Sequence, residues 1–201
     1  MTDFDSGEID FKRLSEFKAL IRDNTYFDFI IESQNAGFFY GQSLQIYGFP
    51  DTYAFHDIYN INALLKTEYG KIVNGLTSFG QDLFGNQFCF DIDGYNVVFF
   101  DSETGARENI ASDFTRWLDV LSERLSYFTG INIWKAWQTN NQLDFDQRLC
   151  PKIPFVMGGE YKVDNLYASK FPAFVKAYAN IARQVYDLPD GSQVKLNTDK
   201  K

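Results

Sequence analysis

The sequence predicts an α+β fold: an antiparallel twisted β-sheet flanked by helices, with a C-terminal helix-strand extension. Apolar residues recur at helical spacing near both ends of the chain. Between these segments, aromatic residues alternate with polar ones, a period that is typical of strands. The Asp93-Gly94 pair in the middle of the alternation suits the tight turn of a β-hairpin. A chain of 201 residues has the length of one domain.

Two helices are expected at the N-terminal end. Apolar residues at helical spacing, with acidic residues at the start, predict the first helix over residues 8–22. A second apolar set at 26–31 favours another helix, with a strand as the alternative, and Gly37 is the expected helix end. The apolar residues of the first helix are Phe11, Leu14, Phe17, Leu20 and Ile21.

A strand and a third helix follow. Leu44 and Ile46 alternate with polar neighbours and predict a strand. Residues 58–69 carry an apolar helical face, Asp57 is the expected N-cap, and Gly70 is the expected end.

The central segment predicts an antiparallel meander. Phe84, Phe88, Phe90 and Ile92 occupy even positions before the Asp93-Gly94 turn, and Val97 and Phe99 mark the returning strand. A further strand is expected at 76–79. A second turn at 102–105 leads to a short strand at 107–110.

The rest of the chain predicts a helix that Ser112 caps and Gly130 closes, and then an extension. Within the extension we expect a short helix with Trp134 and Trp137, a strand-like segment at 154–159, a helix around 175–185 and a final strand at 193–196. The whole chain, 1–201, is predicted to be a single domain with a core at about 10–128 and the extension at about 131–198.

The net charge limits the classes of partner. Formal charge is -8, and residues 1–111 alone carry 17 acids and seven bases, a net of -10. A net-anionic surface repels phosphate backbones and anionic lipid, so we expect no direct binding to nucleic acid or membrane. The N-terminus lacks the features of a signal peptide and no apolar run could span a membrane, so the expected location is cytoplasmic.

No arrangement of residues predicts catalysis, a metal or a cofactor. His56 could act as an acid-base group beside Asp57, but no nucleophile motif accompanies it, and a locally hydrogen-bonded residue at a helix start is favoured. Asp91 and Asp93 begin like a calcium loop, yet the later positions lack its oxygen ligands and glycine. Cys89 and Cys150 are expected to be buried free thiols.

The order of several segments resembles the SUKH superfamily. The segments are the N-terminal helix pair, Asn35 to Tyr40 followed by Leu44 to Tyr47, Phe79 to Phe88 (FGQDLFGNQF), the hairpin, Asp101 to Gly105, and Phe114 to Leu118 (FTRWL). The resemblance covers about residues 10–128. Bacterial members of this superfamily are regarded as immunity proteins of toxin systems, and the superfamily also contains fungal regulators of cell-wall synthesis.

The resemblance implies an α+β fold and a non-enzymatic protein that binds and neutralises a co-encoded bacterial toxin, commonly a nuclease. Nucleases present basic surfaces to phosphate, so an acidic first half fits that partner. The alternative is a regulatory or scaffold module in signalling or cell-wall synthesis. The candidate partner-binding residues, chosen for charge or as aromatic anchors at turns and edges, are Asp51, Tyr53, Asp57, Glu68, Asp82, Asp91, Asp93, Tyr95, Asp101 and Glu103.

Overall fold

The computed structural model describes residues 4–52, 54–91, 96–189, 191–192 and 194–196, and it confirms the α+β fold. In this part of the chain, six strands form one antiparallel sheet in which each strand pairs with the next in sequence. Two further strands form a separate antiparallel pair. The strands are β1 (Gly37–Phe39), β2 (Leu44–Ile46), β3 (Leu76–Asp82), β4 (Gln87–Asp91), β5 (Val97–Phe100), β6 (Arg107–Ala111), β7 (Gln147–Pro151) and β8 (Leu166–Lys170).

Along the chain, helices precede the six-stranded sheet, separate β2 from β3, and follow β6. The predicted helix at 58–69, with its Asp57 cap, is confirmed, because the Asp57 side chain accepts a hydrogen bond from the Tyr59 N–H. The expected helix around 175–185 is also present. The helices are α1 (Phe11–Lys18), α2 (Asn24–Glu32), α3 (Ile58–Tyr69), α4 (Phe114–Glu123), α5 (Leu125–Thr129), α6 (Ile131–Trp137) and α7 (Ala173–Val185).

One face of the sheet packs against α2 and α4 through aromatic rings. Phe79, Phe88 and Phe90 point to this face, and the Trp117 ring lies 5.1 Å from Phe79 and 5.2 Å from Phe88. The Tyr26 ring lies 5.3 Å from Phe90. All five side chains are buried. Much of the high aromatic content therefore fills this core layer.

The opposite face packs against α3, and α7 packs beside α3. Phe100 alternates with Phe99 along β5 and points to this second face, where its ring centroid lies 5.3 Å from that of Tyr69. Cys89 reaches the same side and is a buried free thiol, as expected. The sheet therefore has helices on both faces.

The end of α2 differs from the prediction. The helix ends at Ser33, and Gln34, Asn35 and Ala36 all have positive φ before Gly37 opens β1. The Asn35 side chain fixes this left-handed turn, because its Oδ1 accepts a hydrogen bond from the Phe49 N–H at 2.6 Å and its Nδ2 donates to the Ser6 carbonyl at 3.0 Å. Gly37 was wrongly predicted to be the helix stop because these contacts come from distant parts of the chain.

The predicted single helix from 112 to 130 is two helices, α4 and α5, which meet at Arg124. Asp113 caps α4 by accepting the Arg116 N–H at 2.8 Å, and Ser112 donates its hydroxyl to the Asp113 carboxylate. The N-cap is therefore one residue later than predicted. Gly130 closes α5 in the left-handed conformation, as expected.

The extension contains strands that the sequence did not reveal. The segment expected to be a strand, 154–159, contains a 3-10 turn at Phe155–Met157, and residues 194–196 form no strand. The strands instead are β7 and β8, where Cys150 pairs with Tyr167. Phe174, Tyr178 and Cys150 belong to the main hydrophobic cluster, so the extension packs against the core of the sheet and helices.

Candidate functional site

The meander brings three of the predicted acidic residues to one end of the sheet. Because consecutive strands are antiparallel, the β3–β4 connection and the β5–β6 connection lie at the same end. The first connection follows Asp82, and the second contains Asp101 and Glu103. The β4–β5 connection after Asp91 lies at the opposite end of the sheet. Asp91 is therefore separated from the other three by the length of the strands.

Asp82 is buried and stabilises the β3–β4 turn. Its Oδ1 accepts the N–H groups of Phe84 at 2.8 Å and Asn86 at 2.9 Å, and its Oδ2 accepts from the Asn86 side chain at 2.9 Å. Burial raises the pKa of Asp82 to about 7, although these hydrogen bonds favour the charged form. The prediction that Asp82 lies on the surface is wrong, because the carboxylate turns inward to bond its own turn.

Asp101 shapes the β5–β6 turn. Its Oδ1 accepts the N–H groups of Glu103 at 2.9 Å and Thr104 at 2.8 Å, an arrangement that side chains of Asp favour in turns. Gly105 completes the turn with a φ of +76°. A Cβ at Gly105 would come within 2.6 Å of the Ile72 side chain, so glycine is needed both for φ and for space. Asp101 itself is half-buried.

Glu103 connects the sheet to the extension. Its Oε2 accepts a hydrogen bond from the Val156 N–H at 2.9 Å, and its Oε1 is buried without a hydrogen-bond partner. The residue is only 4% exposed, so it is not the surface charge that was predicted. Burial raises the pKa of Glu103 to about 6, and the Val156 N–H lowers it in part.

A cavity of about 240 Å³ lies between the 101–105 turn and the extension. Its acidic side is formed by Asp101 and Glu103. The remaining lining residues are Phe84, Asn86, Thr104, Phe155, Val156, Tyr161 and Tyr178. We call this cavity the acidic pocket. Residues from both the meander and the extension are required to form it.

The aromatic wall of the acidic pocket is well ordered by ring packing. The Phe155 and Tyr161 rings are stacked with centroids 3.8 Å apart and planes 6° apart. The Phe84 ring meets both of them edge-on, at 5.6 Å and 5.4 Å. Burial raises the pKa of the Tyr161 hydroxyl, and the charges of Asp101, Asp82 and Glu103 raise it further. The Tyr161 hydroxyl is therefore within the electrostatic field of all three carboxylates.

The extension also places exposed apolar side chains beside the pocket. Tyr161 is 54% exposed, and Ile153 is 57% exposed. Val156 and Met157, on the 3-10 turn between them, are exposed as well. We call residues 153–161 the pocket loop. Several large exposed apolar residues on one loop are typical of a protein-interaction surface.

A buried arginine lies behind this end of the sheet. Arg148 on β7 is 1% exposed, donates to the Gln45 side chain and places its guanidinium 5.1 Å from the Phe38 ring centroid. Within the described residues, no carboxylate lies within 4 Å of it. Burial lowers the pKa of Arg148 to about 10, which still leaves it charged at neutral pH. Sequence reasoning missed this residue, because an arginine is usually exposed and its partner Gln45 lies 103 residues away in the chain.

The other predicted contact residues lie apart from the acidic pocket. Asp57 is buried at the start of α3, where both its oxygens accept from Arg13 at 2.6 and 2.8 Å, so its predicted surface placement is wrong. Asp51 is exposed on the loop between β2 and α3, and Glu68 is half-buried near the end of α3. Asp91 is half-buried and accepts from the Asn96 side chain. The predicted residues Tyr53, Asp93 and Tyr95, and Ile92 of the hairpin, lie outside the described residues.

His56 is buried near the N-terminal segment. Its Nε2 lies 3.1 Å from the Ser6 carbonyl oxygen, and burial lowers the pKa of His56, which favours the neutral imidazole. The Phe4 ring packs edge-on against it at 5.0 Å. In the parts of the chain that the structure describes, no group of three or more His, Cys, Asp or Glu side chains is arranged to hold a metal ion.

Comparisons with known proteins identify the fold. No protein-family model matches the chain, and no curated protein matches its sequence. The crystal structure of Atu4351 from Agrobacterium tumefaciens has a similar fold, with a TM-score of 0.60 over 86% of this chain and 82% of that chain, at 16% identity. Residues 10–128 make up about three fifths of the chain, so the overlap includes much of the extension. No described helix has both the length and the apolar character to cross a membrane.

Proposed function

We propose that this chain is a non-enzymatic, cytoplasmic immunity protein that binds and neutralises a co-encoded bacterial toxin, with a basic nuclease as the preferred class. The observation that carries the proposal is the pairing of the acidic pocket with the exposed apolar pocket loop at one end of the sheet. Apolar anchors beside a concave charged surface are a common way of binding another protein.

The charge distribution supports a basic partner. Residues 1–111 carry a net charge of -10, and the pocket carboxylates Asp101 and Glu103 belong to this segment. Acidic residues at an interface increase the rate of encounter with a basic protein and discriminate against acidic ones. A nuclease surface that holds phosphate presents such positive charge. The resemblance to the SUKH superfamily leads to the same class of partner.

The arrangement of Asp82, Asp101 and Glu103 suits binding better than hydrolysis. Asp82 directs both of its oxygens to its own turn, and Asp101 uses one oxygen for two backbone N–H groups. Both carboxylates therefore fix turn geometry rather than activate a water molecule. We infer that the role of this end of the sheet is to shape the acidic pocket for a partner.

Coexpression with the neighbouring toxin gene tests the proposal. Cells that produce the toxin should survive when this chain is also produced, and the two proteins should copurify in a complex that salt weakens. A variant with Tyr161→Ala and Met157→Ala should protect less well, because it loses two exposed apolar anchors of the pocket loop. Absence of both rescue and complex with every neighbouring toxin would refute the proposal. A growth defect on deletion, without any toxin, would favour the regulatory scaffold instead.

A further inference from the structure

We propose that the acidic pocket is a receptor for the guanidinium group of an arginine that the partner protein inserts. This inference rests on the proposed function for the identity of the partner, since it deepens the same site. The pocket itself can be tested without any partner. Three independent features of the pocket support the assignment: its unused acceptor oxygens, its aromatic wall and its size.

The first feature is a buried acceptor that has no donor. Glu103 lines the acidic pocket, and its Oε2 accepts from the Val156 N–H. The backbone N–H groups of Val156 and Phe155 both favour the charged carboxylate, but Oε1 is buried and has no hydrogen-bond partner among the described residues. A buried polar atom without a partner costs free energy, and nearly all such atoms in native proteins are satisfied. A donor supplied by a ligand would remove this cost. An acceptor of this kind is complemented by a ligand that donates hydrogen bonds.

The second acceptor comes from Asp101. Its Oδ1 holds the N–H groups of Glu103 and Thr104, and in the described part of the chain its Oδ2 accepts no hydrogen bond. No Lys or Arg side chain of the described residues lies within 4 Å of the Asp101 or Glu103 carboxylate. The pocket thus has negative charge that this chain does not neutralise. A cation is the ligand that complements it.

The aromatic wall selects the kind of cation. Phe155 and Tyr161 are stacked with planes only 6° apart, and Phe84 meets them edge-on. A guanidinium group is planar and packs on aromatic faces, and its fork of N–H groups can reach more than one acceptor at once. An ammonium group is compact and strongly hydrated, so it gains less from such a wall. The combination of flat rings and two separate acceptors favours arginine over lysine.

The size of the cavity fits this ligand. A water molecule takes up about 30 Å³ of liquid, so a cavity of about 240 Å³ holds a guanidinium group together with part of its aliphatic stem. Exposed Val156 and Met157 lie next to the pocket on its loop, where they could contact the rest of the partner. One inserted side chain surrounded by apolar contacts is the pattern of an interface hot spot.

Titration of the purified chain with n-butylguanidinium tests the pocket, with amide chemical shifts as the readout. We expect saturable shifts at Glu103, Val156 and Tyr161, weaker binding of n-butylammonium, and no binding of the neutral isostere n-butylurea. In Glu103→Gln the affinity for n-butylguanidinium should fall about tenfold, since the substitution removes the negative charge and a charge-assisted hydrogen bond is about twice as strong as a neutral one. The matched control is Glu108→Gln, which removes the same charge from an exposed residue on β6 and should bind like the wild type.

Four results would overturn the inference. The first three are no saturable shifts at these amides, equal binding of n-butylurea, and n-butylammonium binding as tight as n-butylguanidinium. Loss of affinity in Glu108→Gln equal to that in Glu103→Gln would also overturn it, because the effect would then be net charge alone. Failure of this inference can be distinguished from failure of the proposed function. If the chain protects cells from the toxin but the pocket binds no guanidinium, only the inference fails; binding of guanidinium without protection would refute only the proposed function.

Discussion

Glu103 gives a sharp prediction about stability, because its charge is buried in the free protein. The pKa rises from an ordinary 4.5 to about 6 in the folded state. The folded protein therefore holds this proton more tightly than the unfolded chain, and stability falls as pH increases from about 4.5 through about 6. A pKa difference of this size corresponds to about 2 kcal/mol. Replacement of Glu103 by Gln, which cannot ionise, should remove this pH dependence.

Urea unfolding at several pH values measures the effect. Relative to the wild type, Glu103→Gln should gain about 2 kcal/mol in free energy of unfolding between roughly pH 4 and pH 8. Comparison with the wild type isolates Glu103, because Asp82, whose pKa is also raised by burial, titrates in both proteins. Glu108 is exposed, so the free energy of unfolding of Glu108→Gln should change between these two pH values by the same amount as that of the wild type. If the difference between Glu103→Gln and the wild type were the same at both pH values, the buried-charge reasoning would be refuted.

Three further substitutions test the structural contacts. Asp57→Ala should lower the free energy of unfolding by about 2 to 3 kcal/mol, because α3 loses its cap and Arg13 its partner; an unchanged melting temperature would contradict this. Gly105→Ala should lower the free energy of unfolding by about 2 kcal/mol, because the φ of Gly105 is +76° and a Cβ there would clash with Ile72. An unchanged urea midpoint would contradict this prediction. Arg148→Ala should lower the free energy of unfolding by about 3 kcal/mol, because packing contacts and hydrogen bonds are lost. Tryptophan fluorescence during urea unfolding measures this change. An unchanged free energy of unfolding would show that the buried arginine does not stabilise the fold.

Local signals in the sequence were sufficient for much of the fold. The α3 helix has a cap, an apolar face and a glycine end that all lie within a few residues of one another. The strands β4 and β5 pair without a register shift, as their alternating residues predicted, and the turn before β6 was recognisable from Asp101 and Gly105. Bulges interrupt the pairing of β3 with β4 and of β5 with β6, and no local pattern predicted them. The left-handed turn at 34–36 was not predictable in this way, because the contacts of Asn35 come from Phe49 and Ser6.

The candidate site was only partly predictable, because acidic residues were chosen by charge and turn position. That choice included Asp101 and Glu103, which line the acidic pocket, but it could not separate exposed carboxylates from the buried Asp57, Asp82 and Glu103. The pocket loop was not among the predicted contact residues. Its position depends on the pairing of β7 with β8 and on the bond from Val156 to Glu103, two long-range contacts that carry no local sequence pattern.

Hydrogen–deuterium exchange of the complex tests the central claim most directly, namely that the pocket end of the sheet binds a basic toxin. Exchange should be compared for the free chain and for the chain bound to the toxin that it neutralises. The account predicts slower exchange in the 101–105 turn and in the pocket loop at 153–161, with little change around Asp51 and Asp91. Protection confined to the opposite end of the sheet, with the pocket loop unchanged, would contradict it.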